Sequence, residues 1–150
     1  MPFDDHSFDL AWTEHAQMNI ADKRAFYGEI RRVLRPGGRL AFHDIFAGNA
    51  GEPCFPVPWA SVPSISALAP IQEVRDTLAS LGFTEVMWDD RTPHSLAWFR
   101  AAVDRLQAHG RPPLGLHLLM GDAAREKLQN MVRNLEEGWI VVAMGVLDRT

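Results

Sequence analysis

Two short segments concentrate side chains that can bind or deprotonate a small molecule. The first supplies the candidate residues Thr13, Glu14, His15, Gln17, Met18 and Asn19. The second is the pair His43-Asp44. An imidazole titrates near neutral pH, so a histidine such as His43 can orient an amine or hydroxyl or accept its proton. The two segments are therefore the first places to look for a reaction site.

Several of these residues also have an ordinary structural explanation. Asn19 can cap a following helix, and Met18 can fill a core. A histidine in a buried strand is often simply hydrogen-bonded. No metal site is predicted from His15, His43 and Asp44, because no motif spacing indicates that they converge and adjacent strand residues point to opposite faces.

The elements that must position these side chains begin with an apolar run over residues 8–13, which predicts a buried strand. Asn19 then precedes an amphipathic pattern over 20–34, which predicts a helix. Pro36 and the glycines after it end that helix. A second strand is expected over 39–46, so that each candidate segment lies at or just after the end of a strand.

The rest of the chain continues the alternation of helices and strands. Residues 47–69 contain four prolines and no regular period, which predicts a long irregular segment of the kind that is usually functional or mobile. Beyond it the pattern predicts helices over 70–81, 95–109 and 122–137, the last capped by Asp122, and strands over 83–88 and 139–147. This order predicts an α/β fold with a mainly parallel sheet covered by helices. Residues 110–113 are too short a linker to divide the chain, so 1–150 is expected to be one domain.

Composition limits the class of protein. The 150 residues are 47% hydrophobic and carry a formal net charge of -4, with scattered basic residues, so neither disorder nor nucleic-acid binding is expected. No apolar run is long enough to span a membrane, and a cytoplasmic location is expected. The single cysteine, Cys54, has no identified activating base and is interpreted as incidental. Trp88, Trp98 and Trp139 are expected in the core.

Two stretches resemble the class I S-adenosylmethionine-dependent methyltransferases. They are Pro-Phe-Asp-Asp-His-Ser-Phe-Asp-Leu-Ala-Trp at residues 2–12 and Glu-Ile-Arg-Arg-Val-Leu-Arg-Pro-Gly-Gly-Arg-Leu at 29–40. Within that class, Trp-Thr-Glu-His-Ala-Gln-Met-Asn at 12–19 resembles the sarcosine and dimethylglycine methyltransferases and the quinone-biosynthesis methyltransferases. The resemblance covers nearly the whole chain, including a helical insertion over 92–137.

The resemblance implies a partial Rossmann-like sheet. The four strands correspond to strands four to seven of the family, in the spatial order four, five, seven, six, with the last strand antiparallel. The glycine-rich turn and the ribose-binding acid of the family lie in its first three strands, and no Gly-x-Gly-x-Gly occurs here. The chain is therefore expected to correspond to the C-terminal half of such an enzyme and to bind S-adenosylmethionine weakly by itself.

The resemblance also assigns roles to the candidate residues. It implies S-adenosylmethionine as cofactor and a small-molecule methyl acceptor such as an amine or a quinone. The residues that it places at the cofactor are Thr13, Glu14, His15 and Gln17. Those that it places at the acceptor are Gln17, Met18, Asn19, His43 and Trp59. It assigns the catalytic step to His15 and His43. Pro-Trp-Ala at 58–60 resembles a family segment that folds over the acceptor, although Trp59 could equally anchor its own loop.

Two function classes stay open at this point. One is methyl transfer, with the chain acting as part of a complete enzyme or completed by another chain. The other is a non-catalytic remnant that acts as an interaction or dimerisation module. The apolar strand 8–13 lacks a partner on one side and has no lysine or proline within it, so we expect self-association through it, most simply as a homodimer.

Overall fold

The structure is a computed structural model that describes residues 1–110, 113–115 and 117–150. Within these residues, strands and helices alternate. The strands are β1 (Phe8–Glu14), β2 (Leu34–Ala47), β3 (Phe83–Asp90) and β4 (Ile140–Arg149), and the helices are α1 (Lys23–Val33), α2 (Ile71–Ser80), α3 (Thr92–His109), α4 (His117–Met120) and α5 (Ala124–Glu136). Each strand and each of the four long helices predicted from the pattern is present, with end positions shifted by a few residues.

The strands form one sheet in the order β1-β2-β4-β3. β1 and β2 pair in parallel, with Leu10 opposite Arg39 and Glu14 opposite His43. β4 runs antiparallel to both of its neighbours, β2 and β3. The α/β class, the spatial order and the antiparallel last strand are therefore confirmed. The expectation of mainly parallel pairing is wrong. β3 runs in the same direction as β1 and β2, but β4 lies between β3 and β2 and runs the opposite way.

Two predicted helix caps are wrong. α1 begins at Lys23, and the backbone N–H of Ala25 donates to the side chain of Asp22 at 2.8 Å, so Asp22 is the cap. Asn19 instead lies in a 3-10 turn over Gln17–Asn19. Asp122 lies in a second such turn, and α5 begins after it with no side-chain cap. A cap needs a side-chain oxygen at the first backbone N–H groups of the helix. In α1 that oxygen belongs to Asp22, three residues after Asn19, and the N-cap position of α5 is Ala123, which has no side-chain oxygen.

Helices cover both faces of the sheet. One core cluster packs α1 and α2 against residues such as Leu40, Phe42 and Phe46 of β2. A second cluster packs Met131 and Leu135 of α5 against Ile45, on the opposite side of the same strand. The alternation of side chains along β2 thus supplies two apolar layers, as expected for a strand buried on both faces.

A glycine in β4 lets the sheet pack closely around an aromatic ring. Gly145 lies opposite Phe42 in the β2–β4 ladder. A Cβ atom at Gly145 would lie 2.3 Å from the Phe42 ring, which no real contact tolerates. Phe42 in turn packs edge-on against Trp88 with ring centroids 5.1 Å apart. The absence of a side chain at Gly145 therefore leaves the space on β4 in which the Phe42 ring of β2 meets Trp88 of β3.

The helices α3, α4 and α5 lie between β3 and β4 in sequence, where the helical insertion over 92–137 was expected. Residues 111–112 of the predicted linker lie outside the described residues. Among the residues described, no helix has the length and apolar character needed to cross a bilayer.

Candidate active site

The parallel pairing of β1 and β2 brings three polar side chains to one edge of the sheet. Glu14, the last residue of β1, lies opposite His43 near the end of β2. The backbone N–H of His15 donates to the carbonyl oxygen of His43 at 3.0 Å. Parallel strands end at the same edge, which is where open α/β sheets bind ligands. The structure therefore brings together Glu14, His15 and His43 as a group, which we call the histidine cluster.

The members of the histidine cluster are close enough to act on one ligand. The rings of His15 and His43 meet edge to face, with centroids 4.9 Å apart. His43 Nδ1 lies 3.7 Å from a carboxylate oxygen of Glu14. His15 has a backbone φ of +49°, in the left-handed region that few residues other than glycine adopt. Such backbone conformations persist where the surrounding structure holds them and are common at functional sites.

The electrostatic surroundings favour the neutral form of one imidazole. Partial loss of water around the ring lowers the pKa of His15, the neighbouring His43 lowers it further, and the carboxylates of Asp44 and Glu14 oppose this shift. His15 remains exposed in part, so the packed side of its ring is what loses water. A neutral imidazole at neutral pH has a free lone pair and can accept a proton.

Asp44 lies behind the histidine cluster and holds the backbone there. It is 1% exposed, and its carboxylate accepts hydrogen bonds from the backbone N–H groups of Ala16, Gln17 and Ile45 at 3.2, 3.1 and 3.0 Å. Burial raises the pKa of Asp44, and these three hydrogen bonds counter the shift. Asp44 thus attaches the turn that follows β1 to strand β2, and this attachment also sets the position of His15.

A cavity of about 540 Å³ opens beside the cluster. Its lining combines the histidine cluster with residues from the first turns of α3 and from the sheet: Glu14, His15, His43, Ile45, Arg91, His94, Ser95, Trp98, Phe99 and Val142. The prediction that Trp98 is a core residue is wrong, because Trp98 is 48% exposed and forms part of this wall. The sequence did contain a signal for this wall: α3 follows β3 at once, and β3 ends at the same edge as β1 and β2.

Gln17 and Met18 lie beneath the site instead of lining its cavity. Gln17 is fully buried, and its side-chain amide donates to the carbonyl of Ile45 at 2.6 Å. Met18 is 1% exposed and packs in the second core cluster. Gln17, which the resemblance places at the cofactor and the acceptor, is therefore a buried residue, and Met18 has the core position weighed as its alternative. Thr13 is half-buried, and its hydroxyl has no hydrogen-bond partner among the described residues.

Trp59 and Asn19 hold the long loop in place. The side-chain amide of Asn19 donates to the carbonyls of Trp59 and Ile65 at 3.0 and 3.2 Å. The Trp59 indole N–H donates to the Ser66 hydroxyl at 3.0 Å, and its ring packs on the second core cluster. Trp59 is not among the residues that line the cavity. Its contacts match the loop-anchor alternative, whereas the expectation that it borders the acceptor finds no contact here.

Lys23 is a structural residue that the sequence analysis missed. It is 5% exposed, and its ammonium group donates to the carbonyls of Gln17, Ile20 and Ala67 at 2.5, 2.5 and 2.6 Å. Burial lowers the pKa of Lys23. A lysine at the start of an amphipathic helix carries no sequence signal of burial, because its partners are backbone oxygens, two from the segment just before the helix and one from Ala67 in the long loop.

Comparison with known proteins identifies similar methyltransferases. Residues 1–42 match the family model described as a methyltransferase domain. The sarcosine/dimethylglycine N-methyltransferase of Halorhodospira halochloris is 26% identical over 143 residues, which cover 93% of this chain and 48% of the relative. The dimethylglycine N-methyltransferase of Parasynechococcus marenigrum is 29% identical over 92 residues, which cover 61% of this chain and 33% of the relative.

A solved structure shares the fold. The phosphoethanolamine N-methyltransferase 2 of Haemonchus contortus, in complex with S-adenosyl-L-methionine, superposes with a TM-score of 0.77 at 13% identity. The match covers 98% of this chain and 34% of that one. The chain thus spans about half the length, or less, of the relatives that it matches.

The methyltransferase-domain model and the relatives confirm the resemblance of residues 2–12 and 29–40 to the class I S-adenosylmethionine-dependent methyltransferases, and the solved structure shows the same fold. Within that class, the chain is similar to the sarcosine and dimethylglycine N-methyltransferases, which is the group that residues 12–19 indicate.

Proposed function

We propose that the chain, as part of a complete enzyme or completed by another chain, transfers a methyl group from S-adenosylmethionine to a small acceptor held in the cavity beside the histidine cluster. The observation that carries this proposal is the convergence of Glu14, His15 and His43 on a cavity of about 540 Å³ at the carboxyl edge of β1 and β2. Cavities of this size suit small organic ligands. The names of the relatives, which methylate sarcosine and dimethylglycine, support methyl transfer to a small molecule.

The residues at the end of β1 fit the polar end of the cofactor. The buried hydroxyl of Thr13 lacks a hydrogen-bond partner among the described residues, and Glu14 offers a carboxylate for an ammonium group. When bound, S-adenosylmethionine supplies an electrophilic methyl group on sulfur. Thr13 and Glu14 would hold and orient its methionine end, so that the methyl group faces the acceptor.

The histidine cluster would take the proton that the acceptor loses. A primary or secondary amine, or a hydroxyl, would donate its lone pair to the methyl carbon while the bond from that carbon to sulfur breaks, which would leave S-adenosylhomocysteine and a methylated acceptor that must release a proton. A neutral imidazole accepts that proton, and the lowered pKa of His15 keeps this ring neutral at neutral pH. His43, which contacts both His15 and Glu14, would orient the nucleophile beside it.

The lining of the cavity favours an acceptor with an apolar or aromatic body. Ile45, Trp98, Phe99 and Val142 supply apolar surface, whereas its charged and titratable groups lie at the histidine cluster, Arg91 and His94. Hydroquinones and aromatic amines combine a proton-bearing nucleophile with such a body. Among small acceptors, we therefore rank these above zwitterionic amines such as dimethylglycine.

A transfer assay tests the proposal. The protein is incubated with S-adenosylmethionine labelled in the methyl group and with separate pools of aliphatic amines, aromatic amines and hydroquinones. We expect label in at least one pool and a decrease of about 100-fold or more in His15→Gln and His43→Gln. His109→Gln, an exposed histidine outside the cavity, is the matched control. Lack of label in every pool, or wild-type rates in both variants, would contradict the proposal.

A second candidate function is supported by the exposed edge of the sheet. Leu10 and Trp12 of β1 are 52% and 69% exposed, and Phe8 beside them is exposed as well. Among the residues that the structure describes, β1 pairs with β2 alone, so its other edge carries free backbone groups. We propose that this apolar edge associates with a second copy of the chain, as edge strands of this kind tend to do.

A further inference from the structure

We propose that Glu14, His15 and His43 form a binding site for one divalent transition-metal ion of the zinc or cobalt kind. Each residue offers one ligand atom, and these three atoms all lie within 4.8 Å of one another. The inference concerns the ion alone and needs neither cofactor nor acceptor. It replaces the expectation that no metal binds here, which assumed that the two histidines do not converge.

The ligand set selects the kind of ion. Two imidazole nitrogens and one carboxylate oxygen suit zinc, cobalt, nickel or iron(II), whereas magnesium and calcium prefer sites made of oxygen atoms. An ion with bonds of about 2.0–2.2 Å needs its ligand atoms roughly 3.3 Å apart. The present distance of 3.7 Å between His43 Nδ1 and Glu14 Oε1 is already near that value.

The backbone that carries the three ligands is held in place from two sides. The hydrogen bond from His15 N–H to the His43 carbonyl ties the two histidines together. Asp44 accepts hydrogen bonds from the N–H groups of Ala16 and Gln17 and so fixes the turn that follows His15. Only side-chain rotations remain to be made on binding, and Glu14 is exposed and free to make them. A site prepared in this way loses little conformational entropy when it binds an ion.

The ion would keep an open coordination position. Three protein ligands leave a fourth position for water or substrate in catalytic zinc sites. The three ligands here line the cavity, so the free position would face the same space as the proposed acceptor. An ion there would occupy the imidazole lone pairs, so in the metal-bound form the ion would take over from His15 and would activate an oxygen nucleophile by lowering its pKa.

Cobalt binding tests the proposal without any turnover. The full chain, freed of metal with a chelator, is titrated with Co²⁺ and followed by visible absorption, with stoichiometry from equilibrium dialysis. We expect one ion per chain and displacement of Co²⁺ by Zn²⁺. The bound Co²⁺ should show a visible d–d absorption band typical of a site with fewer than six ligands. His15→Gln and His43→Gln should each weaken the binding at least about tenfold. Glu14→Gln, an exposed and conservative change, should weaken it without affecting the fold.

Matched controls separate a built site from surface binding. His109→Gln and Glu52→Gln remove an exposed imidazole and an exposed carboxylate elsewhere, and both should bind Co²⁺ as the wild type does. The proposal is overturned if Co²⁺ does not bind stoichiometrically below about 1 mM, an affinity of roughly -4 kcal/mol. It is also overturned if the control variants lose as much affinity as the cluster variants, because binding is then adventitious. Since no cofactor is used, either result leaves the methyl-transfer proposal to its own assay.

Discussion

Replacing Asp44 by alanine should destabilise the fold at the site more than any exposed carboxylate does. The carboxylate accepts three backbone hydrogen bonds from Ala16, Gln17 and Ile45 at 3.0–3.2 Å, and the residue is 1% exposed. Alanine cannot accept these bonds and leaves the donors without them. Each buried N–H that loses its partner costs about 1–3 kcal/mol.

The expected net loss is smaller than the sum of the three bonds. Burial of the charge is itself unfavourable, as the raised pKa of Asp44 shows, and its removal offsets part of the loss. The turn at Ala16 and Gln17 can also relax toward water. We therefore expect Asp44→Ala to lower the free energy of unfolding by about 2–4 kcal/mol.

Urea unfolding followed by circular dichroism measures this change. Asp148→Ala is the control, because Asp148 pairs with Arg39 at 2.7 Å on the exposed surface, where solvent screens the pair and its removal should change the stability little. Asp44→Asn, which keeps one acceptor oxygen, should fall between the two. A loss below about 1 kcal/mol in Asp44→Ala would refute the argument that this carboxylate holds the turn after β1.

Three further predictions concern other parts of the fold. Gly145→Ala should lower the free energy of unfolding in urea by about 1–3 kcal/mol, because its Cβ would meet the Phe42 ring. Gly28→Ala, which has open space around it in α1, should be neutral or stabilising. Equal effects of the two substitutions would contradict this account. Lys23→Met should lower the free energy of unfolding by about 2–4 kcal/mol, because three carbonyls lose their donor. Arg24→Met, which removes an exposed guanidinium, is the control. Equal losses in the two variants would show that the buried ammonium contributes little. Trp12→Lys should weaken any self-association that sedimentation across a concentration series detects. A wild type that stays monomeric at high concentration would contradict the proposal that β1 pairs with a second copy. Trp12 is a better test than Ala11, whose side chain packs against the first core cluster, so that a lysine there would disturb folding as well.

The sequence predicts the elements of this fold because their signals are local. Pro36 and the glycines beside it end α1 at Val33, and a short apolar run marks β1. The caps at Asn19 and Asp122 were wrong because several polar residues stand near each helix start, and only the backbone path decides which one reaches the free N–H groups.

The candidate site is harder to predict than the fold. His15 and His43 were found because both follow or end a parallel strand, and topology then brings them together. The burial of Gln17 could not be foreseen, since it depends on a hydrogen bond to the carbonyl of Ile45 on another strand. Trp98 was missed for a similar reason: helical position alone does not tell a core tryptophan from one that lines a cavity.

The central claim is that the acceptor and cofactor meet at the carboxyl edge of β1 and β2, beside His15 and His43. Carbon–proton NMR spectra of the histidine rings test it most directly, because the protein has six histidines and each ring reports on its own surroundings. Addition of S-adenosylmethionine followed by a methylated acceptor should shift the ring signals of His15 and His43 and leave that of His109 unchanged. Shifts confined to histidines outside the cavity, with those of His15 and His43 unmoved at saturating ligand, would contradict the claim.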